Sequence, residues 1–319
     1  EVRRDTMSAH ESRPKRPKEA IDGLLLLNKP SGLTSNRALQ IVKRLLNAKK
    51  AGHTGSLDPS ATGMLPLCFG EATKVCAYLL DADKTYRVSA KLGVSTDTGD
   101  ADGQEIATAP VPRLSREGWI DILDSFRGES MQIPPMYSAL KIDGQRLYTL
   151  ARKGQTIERE PRPVRIDTIE LLELAGSRLV FRVSCSKGTY VRTLVEDIAV
   201  RAGTLAHTSR LHRESVGDFK PDEMMELPEV EKLAESGPTE LRERLLSPDV
   251  ALEGFPSVTL EEGIDARFSG GQSVHVAEKS RTGLARVYGS KERFLGVGEL
   301  VGDGQLAPRR VFLMQEKTL

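Results

Sequence analysis

The twelve residues Gly52-His53-Thr54-Gly55-Ser56-Leu57-Asp58-Pro59-Ser60-Ala61-Thr62-Gly63 cannot run on as a regular helix. Glycines supply conformations other residues avoid, and Pro59 removes a backbone donor. A basic helical pattern precedes the segment and an apolar run, Met64 to Phe69, follows it. The chain must therefore hold a constrained loop between two packed elements, with one carboxylate, Asp58, in its middle. Loops of this kind are where folds place catalytic groups. The plain alternative is a surface connection in which Asp58-Pro59 only starts a turn.

With 319 residues the chain can bury one large domain, or a large one and a small one. Its 39% hydrophobic and 29% charged residues fit an ordinary globular protein. Apolar stretches such as Ile21 to Leu27 are far too short to span a bilayer, and no signal-peptide core is evident near the start. A cytoplasmic protein with no membrane partner is expected. Cys68, Cys76 and Cys185 are odd in number and sit among apolar neighbours, so buried free thiols are expected. The five histidines form no metal-ligand cluster, and no metal is expected.

The net charge of +1 says nothing of a nucleic-acid partner, but the distribution does. Lys43, Arg44, Lys49 and Lys50 flank the Asp58 loop. Arg13, Lys15, Arg16 and Lys18 crowd the N-terminal arm. Two further groups are Lys141, Arg146, Arg152 and Lys153, and Arg159, Arg162 and Arg165. Any one group is explained by a solvated face; four around one site would make RNA binding as good a reading as that one.

Residues 1–20 are charged, hold two prolines and carry almost nothing apolar, and read as a disordered arm. Gly23 to Leu27 reads as a buried strand. A helix follows, capped by Thr34 or Ser35, with Ala38, Ile41, Val42, Leu45 and Leu46 on one face. Glu71 to Leu80 is expected to be helical. Thr85 to Leu92 alternates, which places Tyr86, Val88, Ala90 and Leu92 toward a core. Leu114 to Phe126 reads as helix; Ser138 to Leu150 as strand, Asp143-Gly144 turn and helix; Val164 to Cys185 as paired strands. Val191 to Ala202 is a helix closed by Gly203. From about Ala251, short β runs punctuated by glycines predict a small, separate, mostly β domain. The fold class is α+β, a mixed and largely antiparallel core sheet flanked by helices, with residues 21–250 as the catalytic domain and 251–319 as the β module.

Neither a phosphate-binding glycine motif nor G-x-S-x-G nor H-E-x-x-H occurs. One carboxylate, two tyrosines and several arginines remain. In Cys185 to Thr193 a strand ends in a Lys187-Gly188 turn and a helix begins at once. Arg192 falls in that helix's first turn, where the helix dipole disfavours a cation. It needs an anion nearby: Asp58, or Glu196 at i+4 spacing.

Five segments together resemble the TruB family of bacterial tRNA pseudouridine-55 synthases. They are Leu27 to Ser35, the Gly52 to Gly63 loop, Lys84 to Val88, Gln132 to Lys141 and Ser186 to Thr193; Leu306 to Arg310 has a similar look. The resemblance covers nearly the whole chain from Gly23. It implies isomerisation of uridine 55 in the tRNA T loop without metal or cofactor. The N-glycosidic bond is cleaved and the base rejoined through carbon 5. Asp58 matches the essential carboxylate, as nucleophile or in a glycal-type route, and is expected to be ionised with an ordinary pKa near 3.9. Arg192 matches its ion-pair partner, and Tyr86 the tyrosine that stacks on the target base. Tyr190, Leu211 and the Lys187-Gly188 turn match the uracil pocket. His53 matches a residue that fills the gap left in the RNA stack. Lys29 and Pro30 match a pair with a more structural part. A thumb insertion at about 130–155 and a C-terminal PUA-like module are implied to grip tRNA. The chain is expected to act as a monomer with no protein partner.

Two other readings stand beside this one. A guide-RNA-dependent, dyskerin-like catalytic subunit would lack the thumb-like segment. An RNA chaperone that helps tRNA fold would not need Asp58, and could be a secondary role of the same protein.

Overall fold

The computed structural model describes residues 17–314 apart from Ala139, Asp143, Glu278 and Lys279. The basic residues Arg13, Lys15 and Arg16 and most of the expected arm lie outside the described residues, as does the Asp143 half of the expected turn.

A nine-stranded mixed sheet organises the molecule. Its strands are Gly23–Lys29 (β1), Ala51–His53 (β2), Thr62–Phe69 (β3), Lys84–Leu92 (β4), Gly128–Gln132 (β5), Arg162–Ala175 (β6), Arg178–Cys185 (β7), Ala206–Val216 (β8) and Met225–Glu226 (β9). They lie in the order β9-β1-β3-β8-β4-β7-β6-β5, with β2 paired to β3. The pairs β1–β3, β4–β7, β4–β8 and β6–β7 are antiparallel, whereas β3–β8 and β1–β9 are parallel.

The leucine run of β1 is explained by burial on both faces. Leu25 and Leu27 pack with Ala38, Leu39 and Val42 of the helix Ser35–Leu45 (α1). Leu24 and Leu26 pack with Met64, Cys68 and Leu79 on the opposite side. A strand covered twice reads as continuous apolar sequence rather than as alternation. The sheet's other end is covered once. Tyr86, Val88, Ala90 and Leu92 of β4 join Phe181, Trp119 and Ile198 in one core. Arg87 and Ser89, on the outer face of β4, line an open cleft instead.

The helices agree with the apolar spacing. Thr34 caps α1 by accepting from the Arg37 backbone N–H at 3.1 Å, which leaves Ser35 for another role. Glu71 to Leu80 divides into a 3-10 segment, Gly70–Val75, and a short helix, Cys76–Asp81 (α2). Arg116–Asp124 (α3) is capped by Ser115. Val191–Arg201 (α4) is followed by Gly203 at φ 77°, the left-handed conformation that closes helices. Cys68 and Cys185 are buried, but Cys76 is only half-buried, because it begins α2 at the domain's edge. No helix among the described residues is long and apolar enough to cross a membrane.

The C-terminal residues form a five-stranded sheet from Ser257–Thr259 (β10), Val274–His275 (β11), Thr282–Tyr288 (β12), Phe294–Val301 (β13) and Gln305–Val311 (β14). Phe268, Val287 and Leu306 belong to its own core. Phe294, Val297 and Phe312 belong instead to the cluster that contains Leu24 and Leu26 of β1. Hydrogen bonds tie the domains: Lys74 Nζ to the Val311 carbonyl at 2.7 Å, the Leu313 N–H to Glu71 Oε2 at 2.8 Å and the Tyr288 hydroxyl to Asp249 Oδ2 at 2.7 Å. The module is therefore less separate than its sequence texture suggests. Phe312→Ala should cost about 3–5 kcal/mol. Its expected signature in denaturant is a split of one unfolding transition into two, because Phe312 bridges Phe294 and the Lys74 ammonium.

Candidate active site

The loop that carries Asp58 is held from the segment between β1 and α1. The Ser35 hydroxyl donates to the Leu57 carbonyl at 3.1 Å and accepts from the Leu57 N–H at 2.8 Å. Lys29, fully buried, donates to the carbonyls of Pro30, Leu33 and Pro59 at 2.9, 2.7 and 3.2 Å. The backbone on each side of Asp58 is thus fixed by one buried side chain. This explains why a lysine is spent inside the protein, where its desolvation pushes its pKa down to about 8.

Arg192, in the first turn of α4, faces Asp58 and not Glu196. Its Nε lies 3.0 Å from Asp58 Oδ2, and its Nη1 stands 3.7 Å from Asp100 Oδ2. Its remaining donors go to the carbonyls of Thr98 and Tyr137 at 2.7 and 2.6 Å. The guanidinium is nearly inaccessible, whereas the Asp58 carboxylate is 40% exposed. That exposure leaves one side of the carboxylate for a ligand.

The Asp58 pKa departs from the ordinary value. Burial pushes it up and Arg192 pulls it back, while Asp100 and Asp102 push it up again. The ion pair favours the charged form as expected, but desolvation outweighs it.

Asp58, Arg192 and Leu211 stand where two cavities meet. The smaller, about 330 Å³, is walled by Gly55, Lys84, Tyr86, Gly188, Tyr190 and Arg213. That is at the low end for small-molecule pockets. The larger, about 950 Å³, runs over the uncovered sheet face past Arg87, Ser89, Arg210 and His212. The arrangement suits a substrate whose one small group enters the inner cavity while a large polar remainder lies in the cleft.

Most sequence-expected residues meet here. Tyr86 projects from β4 into the core-facing wall; burial raises its hydroxyl pKa, and the Arg213 charge acts against that rise. Tyr190 stands at the N-cap of α4. Lys29 lies beneath the loop. Two residues stand elsewhere. The Lys187 ammonium meets Asp81 at 2.8 Å on the surface, so only its neighbour Gly188 lines the cavity. His53, on β2, lines neither cavity; burial and the nearby Arg213 lower its ring pKa, which keeps it neutral.

Four residues escaped the sequence reading: Ser35 as a loop anchor, Lys84, Arg213 and Gln132. Lys84 shares parity with Tyr86 on β4, and Arg213 with Leu211 on β8, so a cation on the apolar phase of a strand was the available signal. Gln132, at the foot of the thumb-like segment, clamps the start of α4. Its side chain accepts from the Tyr190 N–H at 2.8 Å and donates to the Tyr190 carbonyl at 3.1 Å. Gln132→Ala should cost about 1 kcal/mol, since the part-buried Tyr190 N–H loses its partner while the Tyr190 carbonyl keeps the Leu194 N–H. Denaturant midpoints would measure it, and hydrogen exchange should place the loss at Tyr190 to Leu194.

Three family models match in succession. They are the TruB family pseudouridylate synthase N-terminal domain at residues 43–191, the tRNA pseudouridylate synthase B C-terminal domain at 192–253, and the pseudouridine synthase II TruB C-terminal domain at 256–312. A curated tRNA pseudouridine synthase B from Stutzerimonas stutzeri is 50% identical over 298 residues, 93% of this chain and 97% of that one. One from Nitrosococcus oceani is 48% identical over 295 residues, 92% of this chain and 96% of that one.

The chain belongs to the TruB family.

Among solved structures, a Cbf5-Nop10-Gar1 complex matches with a TM-score of 0.71 and 25% identity, over 98% of this chain and 95% of that one. An H/ACA RNP bound to a substrate RNA containing 2′-deoxyuridine matches at 0.70 and 23%, over 99% and 96%. These likenesses place the sheet, helices and C-terminal module of this TruB family member in a shared fold. The Asp58 loop and the cavity residues from Gly55 to Val191 fall within the N-terminal TruB match, and Arg192 and the β8 residues within the match that follows it.

Proposed function

We propose that this protein isomerises uridine 55 of the tRNA T loop to pseudouridine, with Asp58 as the essential carboxylate. The observation that carries the reading is the half-open Asp58–Arg192 pair at the mouth of a base-sized cavity, beside a long polar cleft. Identity near 50% to curated tRNA pseudouridine synthase B relatives supports tRNA as the substrate.

The target base leaves the T-loop stack and enters the inner cavity, at a cost on the order of a few kcal/mol. Contact with the Tyr86 ring returns roughly 1–3 kcal/mol. Tyr190 and Leu211 bound the base, while His53, neutral and apolar-bodied, fills the gap in the RNA. Asp58 then either attacks C1′ or assists departure of the base by a glycal route. Arg192 keeps the carboxylate charged and aimed. The thumb segment and the C-terminal sheet grip the tRNA, largely through backbone shape and charge. The reading extends to a monomer that acts without guide RNA or protein partner, which the thumb-like segment favours.

The test uses an unmodified tRNA transcript carrying 5-tritiated uridine, with chelator and no added cofactor. Tritium release, with pseudouridine mapped to position 55, is expected. Absence of release by the protein alone would overturn the reading and favour a guided or chaperone role.

A further inference from the structure

The inner cavity has one carboxylate in its wall but three cations, Lys84, Arg192 and Arg213. Arg192 is matched by Asp58. Lys84 and Arg213 are both buried, and neither has a carboxylate within ion-pair distance among the described residues. The acids nearest Lys84 in sequence are engaged elsewhere, Asp81 with Lys187 and Asp83 with Arg165. Lys84 donates to the carbonyls of Leu79, Leu80 and Ala82. Arg213 donates to those of Met64 and Gly55 at 2.7 and 3.0 Å, and its charge acts on the Tyr86 hydroxyl.

Burying two unpaired charges is costly, and folds keep such groups mainly where function needs them. Lys84 remains largely protonated near neutrality, since burial and Arg213 bring it down only to about 8. Neither cation lines the outer cleft, so RNA phosphates lying there do not account for them. The inner cavity is thus positively charged at its deep end before any ligand arrives.

We infer that Lys84 and Arg213 stabilise the negative charge that the uracil acquires when its glycosidic bond breaks. The inference rests on the proposed isomerisation. On either sugar route the C1′–N1 bond breaks heterolytically and its electron pair leaves with the base. Asp58 bonds to C1′ in one route; in the other a proton leaves C2′ to form the glycal. Uracil is then an anion, delocalised over N1 and the two carbonyl oxygens. It must turn within the cavity before its C5 bonds to C1′, displacing the Asp58 carboxylate in the first route or accompanied by return of the proton to C2′ in the second; C5 then loses its proton to solvent and N1 gains one. A field from two fixed cations stabilises this anion in every orientation, which directional hydrogen bonds could not do. Burial keeps the proton on the Tyr86 hydroxyl, which lines the same cavity and can donate. Fixed charges in a dry site, already oriented, are the kind that stabilise developing anions most.

The structural alternative is that Lys84 only ties down the carbonyl end of α2. Leaving-group chemistry separates the two. Single-turnover rates would be measured for wild type, Lys84→Gln, Lys84→Arg and Arg213→Gln on two transcripts, with uridine or 5-fluorouridine at the target position. Fluorine makes the departing base more acidic and less dependent on external charge. Lys84→Gln and Arg213→Gln should each slow uridine by about 10²–10³-fold, the range for loss of one preorganised electrostatic contact. They should slow 5-fluorouridine at least fivefold less, and Lys84→Arg should restore most of the rate. Equal losses on both bases overturn the inference while leaving the isomerase reading intact; no conversion by wild type overturns the reading itself.

A second arm needs only wild type, in case the variants do not fold. Barbiturate, a uracil-sized pyrimidine that is anionic at neutral pH, should inhibit at concentrations at least about tenfold below neutral uracil. Equal or weaker inhibition overturns the inference.

Discussion

Asp58→Asn should abolish tritium release, by at least about 10⁴-fold, and should leave the protein as stable as before or more so. The two halves of this expectation have one cause. A carboxyl whose folded-state pKa is raised opposes folding at pH above both its pKa values, and stops doing so below the unfolded value near 3.8. At neutral pH the folded protein therefore bears a cost for keeping Asp58 ionised and partly dry. Asparagine keeps the shape and removes that cost. Arg192 retains the Thr98 and Tyr137 carbonyls and the nearby Asp100, so it is not orphaned. Thermal melts of both proteins at pH 7 check the claim. A fall in Tm of more than about 6 °C, roughly 2 kcal/mol for a chain of this size, would mean that the ion pair is structural. Wild-type turnover should also fall on acidification, with a midpoint above the ordinary aspartate value of 3.8, as the raised pKa of Asp58 is crossed.

Gly63→Ala should be the most damaging single methyl group that can be added to the loop. Gly63 sits at φ 104°, a conformation L residues rarely adopt. A Cβ there would stand 2.2 Å from the Arg213 carbonyl oxygen and 2.6 Å from its nitrogen. These are backbone atoms of β8, paired in parallel with β3 at this residue, so they cannot swing aside as a flexible side chain would. The strands must separate, and Arg213 and the Asp58 loop move with them. A loss of about 3–5 kcal/mol is expected, together with most of the activity. Gly188→Ala is the control. Gly188 has φ 79° but open space around it, so only conformational strain of about 1–2 kcal/mol applies. Comparable denaturant midpoints for the two variants would refute the contact argument.

Much of the architecture could be read from spacing. The alternation of β4 placed Tyr86 correctly because one face is buried and the other lines the cleft. Gly203 marked the end of α4, and the glycine-rich texture after Ala251 marked the second sheet. The Asp58 loop stood out because no regular element tolerates its composition. What escaped reading depends on distant residues meeting. Arg192 could have satisfied its charge with Glu196; only the fold brings Asp58 within 3.0 Å. The ordinary pKa expected for Asp58 failed for the same reason, since the fold buries the carboxyl and brings Asp100 and Asp102 near it, neither of which local sequence shows. Ser35 resembled a second possible helix cap, and its grip on Leu57 becomes visible only when Thr34 is seen to cap α1. Lys187 matched a motif, yet a neighbouring acid holds it at the surface.

The shared cluster of Phe294, Val297 and Phe312 with the leucines of β1 has a geometric consequence. A module hung on a linker would search for its part of an RNA and adapt to it. One that is packed into the same interior as the Asp58 scaffold cannot; its distance from the cavity is fixed when the protein folds. Under the proposed function, such a molecule would work as a calliper, accepting only nucleic acids whose own folded dimensions match the gap.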